Sequence, residues 1–150
     1  MSIFGDIHDA DKELGRTFDD RYRAEFVKGF KAGYNSLKRL EVLQGVAVNQ
    51  LQMVIKYRVN SNEPTEIRSF ATGLGEIIAL LRFHPLWILD NLLTTTVVDI
   101  ITKLVADKSK EKYYNFIKTR MLRWYEKVKN EKSSLDNQQL NNFNRVVKSL

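Results

Sequence analysis

Residues 85–105, PLWILDNLLTTTVVDIITKLV, form the most apolar stretch of the 150-residue chain. Asp90, Asp99 and Lys103 interrupt this stretch, and a carboxylate or ammonium group near the middle of a bilayer costs about 2.5–3.5 kcal/mol. A membrane span is therefore disfavoured. We expect instead a helix over residues 86–106 that is apolar on almost every side and forms the centre of the fold.

Other helices are expected on both sides of this segment. A stripe of apolar residues, each four residues after the last, predicts a long first helix: Leu14, Phe18, Tyr22, Phe26, Phe30 and Tyr34. His84-Pro85 ends a second helix near Phe83. A lysine-rich helix follows at 108–132, and a cap at Asp136 starts a short helix over 135–150. The prediction is one all-α domain over residues 1–150, a compact bundle of about five helices whose residues 1–8 are mobile.

Two features of the first half leave a structural question. Gly29 and Gly33 lie on the first helix, where each costs about 1 kcal/mol relative to alanine, so a close helix contact is the expected compensation. Within residues 46–70, apolar side chains alternate from Leu51 to Val59, which is the period of a strand. A helix is favoured there because an isolated hairpin is marginally stable, and a small β-hairpin remains the alternative.

The chain contains little that is typical of an enzyme. It has no cysteine, which excludes disulfides and thiolate zinc sites and fits a reducing, cytoplasmic location. GDIHDAD, residues 5–11, resembles the opening of metal-dependent phosphoesterases, in which Asp and His begin a two-metal site. His84 is the only other histidine, and no later Gly-Asp or Asn-His block follows. We expect these aspartates to favour the start of the first helix, with no catalytic residue, metal or cofactor.

The positive charge is concentrated at one end of the chain. Of the net +6, residues 102–150 carry +7, from twelve basic and five acidic side chains. On a helical wheel, one side of KSKEKYYNFIKTRMLRWYEKVKNEK (108–132) is apolar and the other is basic. The predicted nucleic-acid contacts are Lys108, Lys110, Lys112, Phe116, Arg120, Arg123 and Lys127. Phe116 is expected either to stack on an unpaired base or to pack half-buried against a neighbouring helix.

Two functional hypotheses follow. The first is a non-enzymatic helical accessory protein that binds the nucleic-acid backbone, without sequence specificity, within a larger nucleoprotein assembly. An acidic protein surface is the alternative partner for the same face. The second is a protein-interaction or self-assembly module, such as a homo-oligomer or a viral or phage accessory protein, with no membrane partner. Its predicted interface residues are Phe18, Tyr22, Phe26, Phe30, Phe143 and Val147. A third interpretation is that the lysine-rich face is only solvated and binds no partner.

Overall fold

A computed structural model describes residues 20–38, 48–59 and 67–150. In that part of the chain all regular structure is helical, which confirms the all-α prediction. The described residues form six α-helices, where about five were predicted: α1 (Asp20–Lys38), α2 (Val48–Val59), α3 (Ile67–Phe83), α4 (Asn91–Ala106), α5 (Glu111–Lys129) and α6 (Asn137–Ser149). Short 3-10 helices precede α4, α5 and α6. None of the helices so described is both long and apolar enough to cross a membrane.

The centre of the fold is α3, and the prediction that the 86–106 helix would be central is wrong. Eleven of the 17 residues of α3 are buried, against seven of the 16 in α4. One face of α4 is polar and exposed to solvent. It includes Asn91, Thr95, Asp99 and Thr102, which follow one another at helical spacing. Asp90 also divides the apolar segment, because its side chain accepts a 2.9 Å hydrogen bond from the backbone N–H of Leu92 and caps α4.

The contact between α1 and α3 is made backbone to backbone. A Cβ atom added at Gly29 or Gly33 would collide with the carbonyl oxygens of Arg68 or Thr72, and one added at Gly75 would collide with that of Phe30. The close contact predicted from Gly29 and Gly33 is therefore confirmed. It brings the aromatic side chains of α1 into the core, where α5 also packs.

The segment 48–59 is helical, and the hairpin alternative is not found among the described residues. Leu51 and Ile55 are buried one turn apart, whereas Met53 and Tyr57 are 66% and 81% exposed. The alternation that suggested a strand thus separates on a helix into an inner and an outer face. Residues 67–70, at the end of the segment in which the hairpin was the alternative, belong to α3.

The predictions for the C-terminal third are confirmed in outline. α3 ends at Phe83, directly before His84-Pro85, and α5 lies within the predicted 108–132 segment. Asp136 begins α6 with a reciprocal capping box, in which its carboxylate accepts from the N–H of Gln139 at 2.8 Å and its own N–H donates to the Gln139 side chain at 3.1 Å.

Candidate anion-binding cavity

A cavity of about 240 Å³ lies between the C-terminal halves of α3 and α5. Each helix contributes residues at the spacing of a single face. The lining consists of Ile78, Leu81 and Arg82 from α3 and of Arg120, Arg123, Trp124 and Lys127 from α5. Three of the predicted nucleic-acid contacts (Arg120, Arg123 and Lys127) therefore come together at one site, with Arg82 as a fourth cation. No carboxylate is among the lining residues.

The floor of the cavity is apolar and fixed. Ile78, Leu81 and Trp124 are all at least 96% buried. The indole N–H of Trp124 donates to the carbonyl oxygen of Pro85 at 2.8 Å, and its ring lies 5.6 Å from that of Phe143. These contacts hold the indole in one orientation, so the shape of the floor exists before any ligand binds.

Arg120 forms a cationic wall of this cavity, although only 4% of the residue is exposed. Its guanidinium carbon lies 3.7 Å from the centroid of the Phe116 ring, and Nη1 donates to the Phe116 carbonyl oxygen at 2.9 Å. Contact with an aromatic face and a hydrogen bond offset part of the desolvation of the charge. The expectation that Arg120 lies on an open basic face is wrong, because the residue packs against the interior.

Phe116 is fully buried, so it cannot stack on a nucleic-acid base. Its ring makes edge contacts with Phe30 at 5.4 Å and Phe26 at 6.2 Å. The predicted contacts that remain after Phe116 is excluded are all lysine or arginine side chains. Of the two roles expected for Phe116, packing against a neighbouring helix is the one found.

The mouth of the cavity carries the accessible charge. Arg123 and Lys127 are exposed and Arg82 is half-buried. The Lys127 ammonium donates to the carbonyl oxygen of Arg82 at 3.3 Å, which holds the end of α5 against the end of α3. Arginine and lysine side chains near the last turn of α3 also interact favourably with the negative end of its dipole. Some of these charged side chains therefore stabilise the fold, in addition to any role in binding a ligand.

The other predicted basic contacts lie elsewhere. Lys108 and Lys110 belong to the 3-10 turn before α5, about 20 Å along the helix axis from Arg123 at 1.5 Å per residue. Lys108 is exposed, and the ammonium of Lys110 lies 5.5 Å from the Phe70 ring. The side chain of Lys112 lies outside the described residues. The structure thus divides the predicted set into two groups and brings only one of them to the cavity.

The aromatic stripe proposed as a protein interface is core. Phe26 and Phe30 have no exposed surface, because α1 packs on α3 and their rings also contact Phe116. Phe143 is 97% buried, with its ring stacked on Tyr125 at 5.7 Å, and Val147 is half-buried. These four residues therefore do not form an exposed docking surface. Phe18 and the side chain of Tyr22 lie outside the described residues.

No known protein family, curated protein or solved structure matches this chain. The inference about function consequently depends on the geometry of the chain itself. Within residues 20–38, 48–59 and 67–150, no three His, Asp or Glu side chains come together as metal ligands. The GDIHDAD segment lies outside those ranges.

His84 lies beside the cavity region without lining it. Its backbone N–H donates to the Leu80 carbonyl oxygen at 2.9 Å, and its ring lies 5.6 Å from that of Trp87. Burial lowers the pKa of His84 from its ordinary value, which favours the neutral ring. The positive charge at this site therefore comes from arginine and lysine side chains.

The sequence interpretation missed the contribution of α3. Ile78, Leu81 and Arg82 have the spacing of one helix face, with the arginine in the last turn. That pattern also occurs in any buried helix with a charged end, and Trp124 lies on the apolar side of the α5 wheel. A helical wheel of α5 alone predicts a surface, whereas the pairing of α3 with α5 forms a cavity.

Proposed function

We propose that the protein is a non-enzymatic accessory factor that binds nucleic acid through the sugar–phosphate backbone at the mouth of this cavity. The observation that carries the proposal is the grouping of Arg82, Arg120, Arg123 and Lys127 around one opening that no carboxylate lines. A group of cations around one opening attracts a polyanion, and binding releases the counterions that accompany it. Arginine adds a planar fork that matches two phosphate oxygens.

Three of these cations, Arg82, Arg123 and Lys127, are accessible enough to meet phosphates. For a single strand, three neutralised phosphates correspond to a slope of about −2 in log K against log salt. The affinity then falls about 20-fold between 50 and 200 mM salt. Contacts of this kind position a strand without reading its sequence, so binding is expected to depend little on base order.

The test is fluorescence anisotropy of labelled single-stranded DNA, duplex DNA and RNA at low salt. The Arg123→Glu/Lys127→Glu variant reverses two charges at the cavity mouth. The matched control, Lys118→Glu/Lys129→Glu, makes the same change of charge on the opposite side of α5, where these lysines lie near the rings of Tyr114 and Tyr125. We expect the first variant to lose at least tenfold in affinity, and the control to lose much less.

The outcomes separate the competing explanations. Equal losses in both variants would mean that net charge, rather than this site, determines the affinity. Absence of binding by the folded wild-type protein at low salt would reject the nucleic-acid proposal. An acidic protein surface would then be the remaining partner for the same cations.

A further inference from the structure

We propose that the end of α3 and the turn after it stack the bases of a single-stranded nucleic acid whose phosphates meet the cations at the cavity mouth. This segment, residues 82–87 (RFHPLW), is called the aromatic turn here, since three rings follow the cation Arg82 within it. The inference deepens the proposed function and rests on it, because it specifies the kind of strand that the cations bind.

Phe83 is the most accessible ring of the aromatic turn, with 39% of the residue exposed. The ring of Tyr34 contacts it at 5.8 Å between centroids, with the two planes 71° apart. This contact steadies the Phe83 ring and leaves part of it open to solvent. His84 and Trp87 are also partly exposed, and their rings lie 5.6 Å apart. The aromatic turn thus offers ring surface that a ligand can reach.

The rings of the aromatic turn lie next to the cations at the mouth. The guanidinium carbon of Arg82, a lining residue of the cavity, is 5.5 Å from the centroid of the Phe83 ring. The Lys127 ammonium donates to the Arg82 carbonyl oxygen at 3.3 Å. The Trp124 indole N–H donates to the Pro85 carbonyl oxygen at 2.8 Å, which holds the turn against α5. Accessible rings and accessible cations therefore form one continuous surface.

This combination fits a single strand better than other polyanions. Proteins that bind single strands combine cations along the backbone with aromatic rings on which bases stack. Phenylalanine, tryptophan and histidine rings all serve in this way, as do guanidinium planes. In a duplex each base is already paired and stacked, and it reaches such a ring only after it leaves the stack. A duplex therefore uses the cations alone, whereas a single strand uses the cations and the rings.

The experiment compares three labelled ligands in the low-salt anisotropy assay: a ten-nucleotide single strand, the same backbone with every base removed, and the duplex. We expect the wild-type protein to bind the base-containing single strand about fivefold or more tightly than the abasic strand, as stacking of one base predicts. The duplex should bind no more tightly than the abasic strand, because its bases stay in the stack.

Three variants test whether the ring of Phe83 is responsible. Phe83→Leu removes the ring and keeps an apolar side chain, whereas Phe83→Tyr keeps a ring. Tyr57→Leu is the matched control, because it removes a ring that is 81% exposed on α2, a helix that contributes no residue to the cavity lining.

Phe83→Leu should lower the affinity for the base-containing strand about fivefold and leave the abasic affinity unchanged. Phe83→Tyr and Tyr57→Leu should bind as the wild-type protein does. The salt slope should stay at about −2 in all three variants, because none of them changes a charge. If Phe83→Leu does not fold, the comparison of the base-containing and abasic strands with the wild-type protein still decides.

Failure of this inference can be distinguished from failure of the proposed function. Equal wild-type affinity for the abasic and base-containing strands would overturn stacking and leave backbone binding intact. An equal loss of both affinities in Phe83→Leu would also overturn it, since the ring would then act only by positioning Arg82. No binding of any of the three ligands would overturn both proposals.

Discussion

The guanidinium of Arg120 lies over the ring of Phe116, with 3.7 Å between the guanidinium carbon and the ring centroid, and donates to the carbonyl oxygen of the same residue. Both side chains are almost completely removed from solvent. The pair joins the core to the cavity: one face of the guanidinium packs on the aromatic cluster of α1 and α5, and the same residue lines the cavity wall. The same arginine therefore contributes to the packing of the core and to the positive charge of the cavity.

The Arg120–Phe116 pair should show a measurable coupling energy. In a double-mutant cycle with Arg120→Met and Phe116→Leu, we expect a coupling of about 1–2 kcal/mol, because a desolvated cation over an aromatic face interacts more strongly than an exposed one. The measurement is chemical denaturation of the four proteins. The matched control is the Lys118–Tyr114 pair, in which the Lys118 ammonium lies 5.6 Å from the centroid of the Tyr114 ring and both residues are half-buried. This pair should couple by less than about 0.5 kcal/mol. Equal coupling energies for the two pairs would contradict this account.

Gly33→Ala should destabilise the protein although alanine is the better helix former. The added methyl group would collide with the carbonyl oxygen of Thr72 and force α1 away from α3. We expect a loss of about 2 kcal/mol or more in the free energy of unfolding, against a propensity gain of about 1 kcal/mol. Ala32→Ser, one residue away on the exposed side of α1, should change it by less than about 0.5 kcal/mol. A stabilised Gly33→Ala protein would show that the helices can separate without cost.

Glu76 should make the stability of the protein depend on pH. Burial raises the pKa of this carboxyl above its ordinary value of 4.5, more than the ion pair with Arg58 lowers it. The folded state therefore keeps the proton to higher pH than the unfolded state does. The contribution of Glu76 to stability is complete below pH 4.5 and declines as the pH rises through the folded-state pKa.

Glu76→Gln isolates this effect, because it removes the titration and leaves the other groups unchanged. The difference in unfolding free energy between the wild-type and variant proteins, measured by denaturation from pH 4 to pH 8, should shift against the wild-type protein with increasing pH. A constant difference would mean that the carboxyl titrates alike in the two states.

Arg58→Ala should lower the free energy of unfolding by about 1–3 kcal/mol at neutral pH, because it leaves a buried carboxylate without its cation.

The elements that could be predicted from the sequence are those that depend on local patterns. The four-residue spacing of the aromatic residues placed α1, Pro85 ended α3, and Asp136 capped α6, since each signal acts within one or two helical turns. Gly29 and Gly33 indicated a close contact because an unexplained glycine in a helix has a cost.

What could not be predicted depends on which helices meet. Residues 85–105 form the most apolar stretch of the chain, yet α3 takes the centre, where the backbone of α1 approaches it closely at Gly75. Arg120 was placed on an open face because arginine is rarely buried. Phe116 and Trp124 lie one turn before and one turn after Arg120, and both are buried. The position of Arg120 between them on the helical wheel predicts a buried side chain, although its residue type predicts an exposed one. The cavity exists only through the pairing of α3 with α5.

The salt dependence of binding tests the central claim most directly. Affinity for a labelled single strand is measured by anisotropy from 50 to 200 mM salt for the wild-type protein, for Arg123→Glu/Lys127→Glu and for Lys118→Glu/Lys129→Glu. The account predicts a slope of about −2 in log K against log salt for the wild-type protein and the second variant, and about −0.7 for the first. The same slope in all three proteins, or no binding at 50 mM salt, would contradict it.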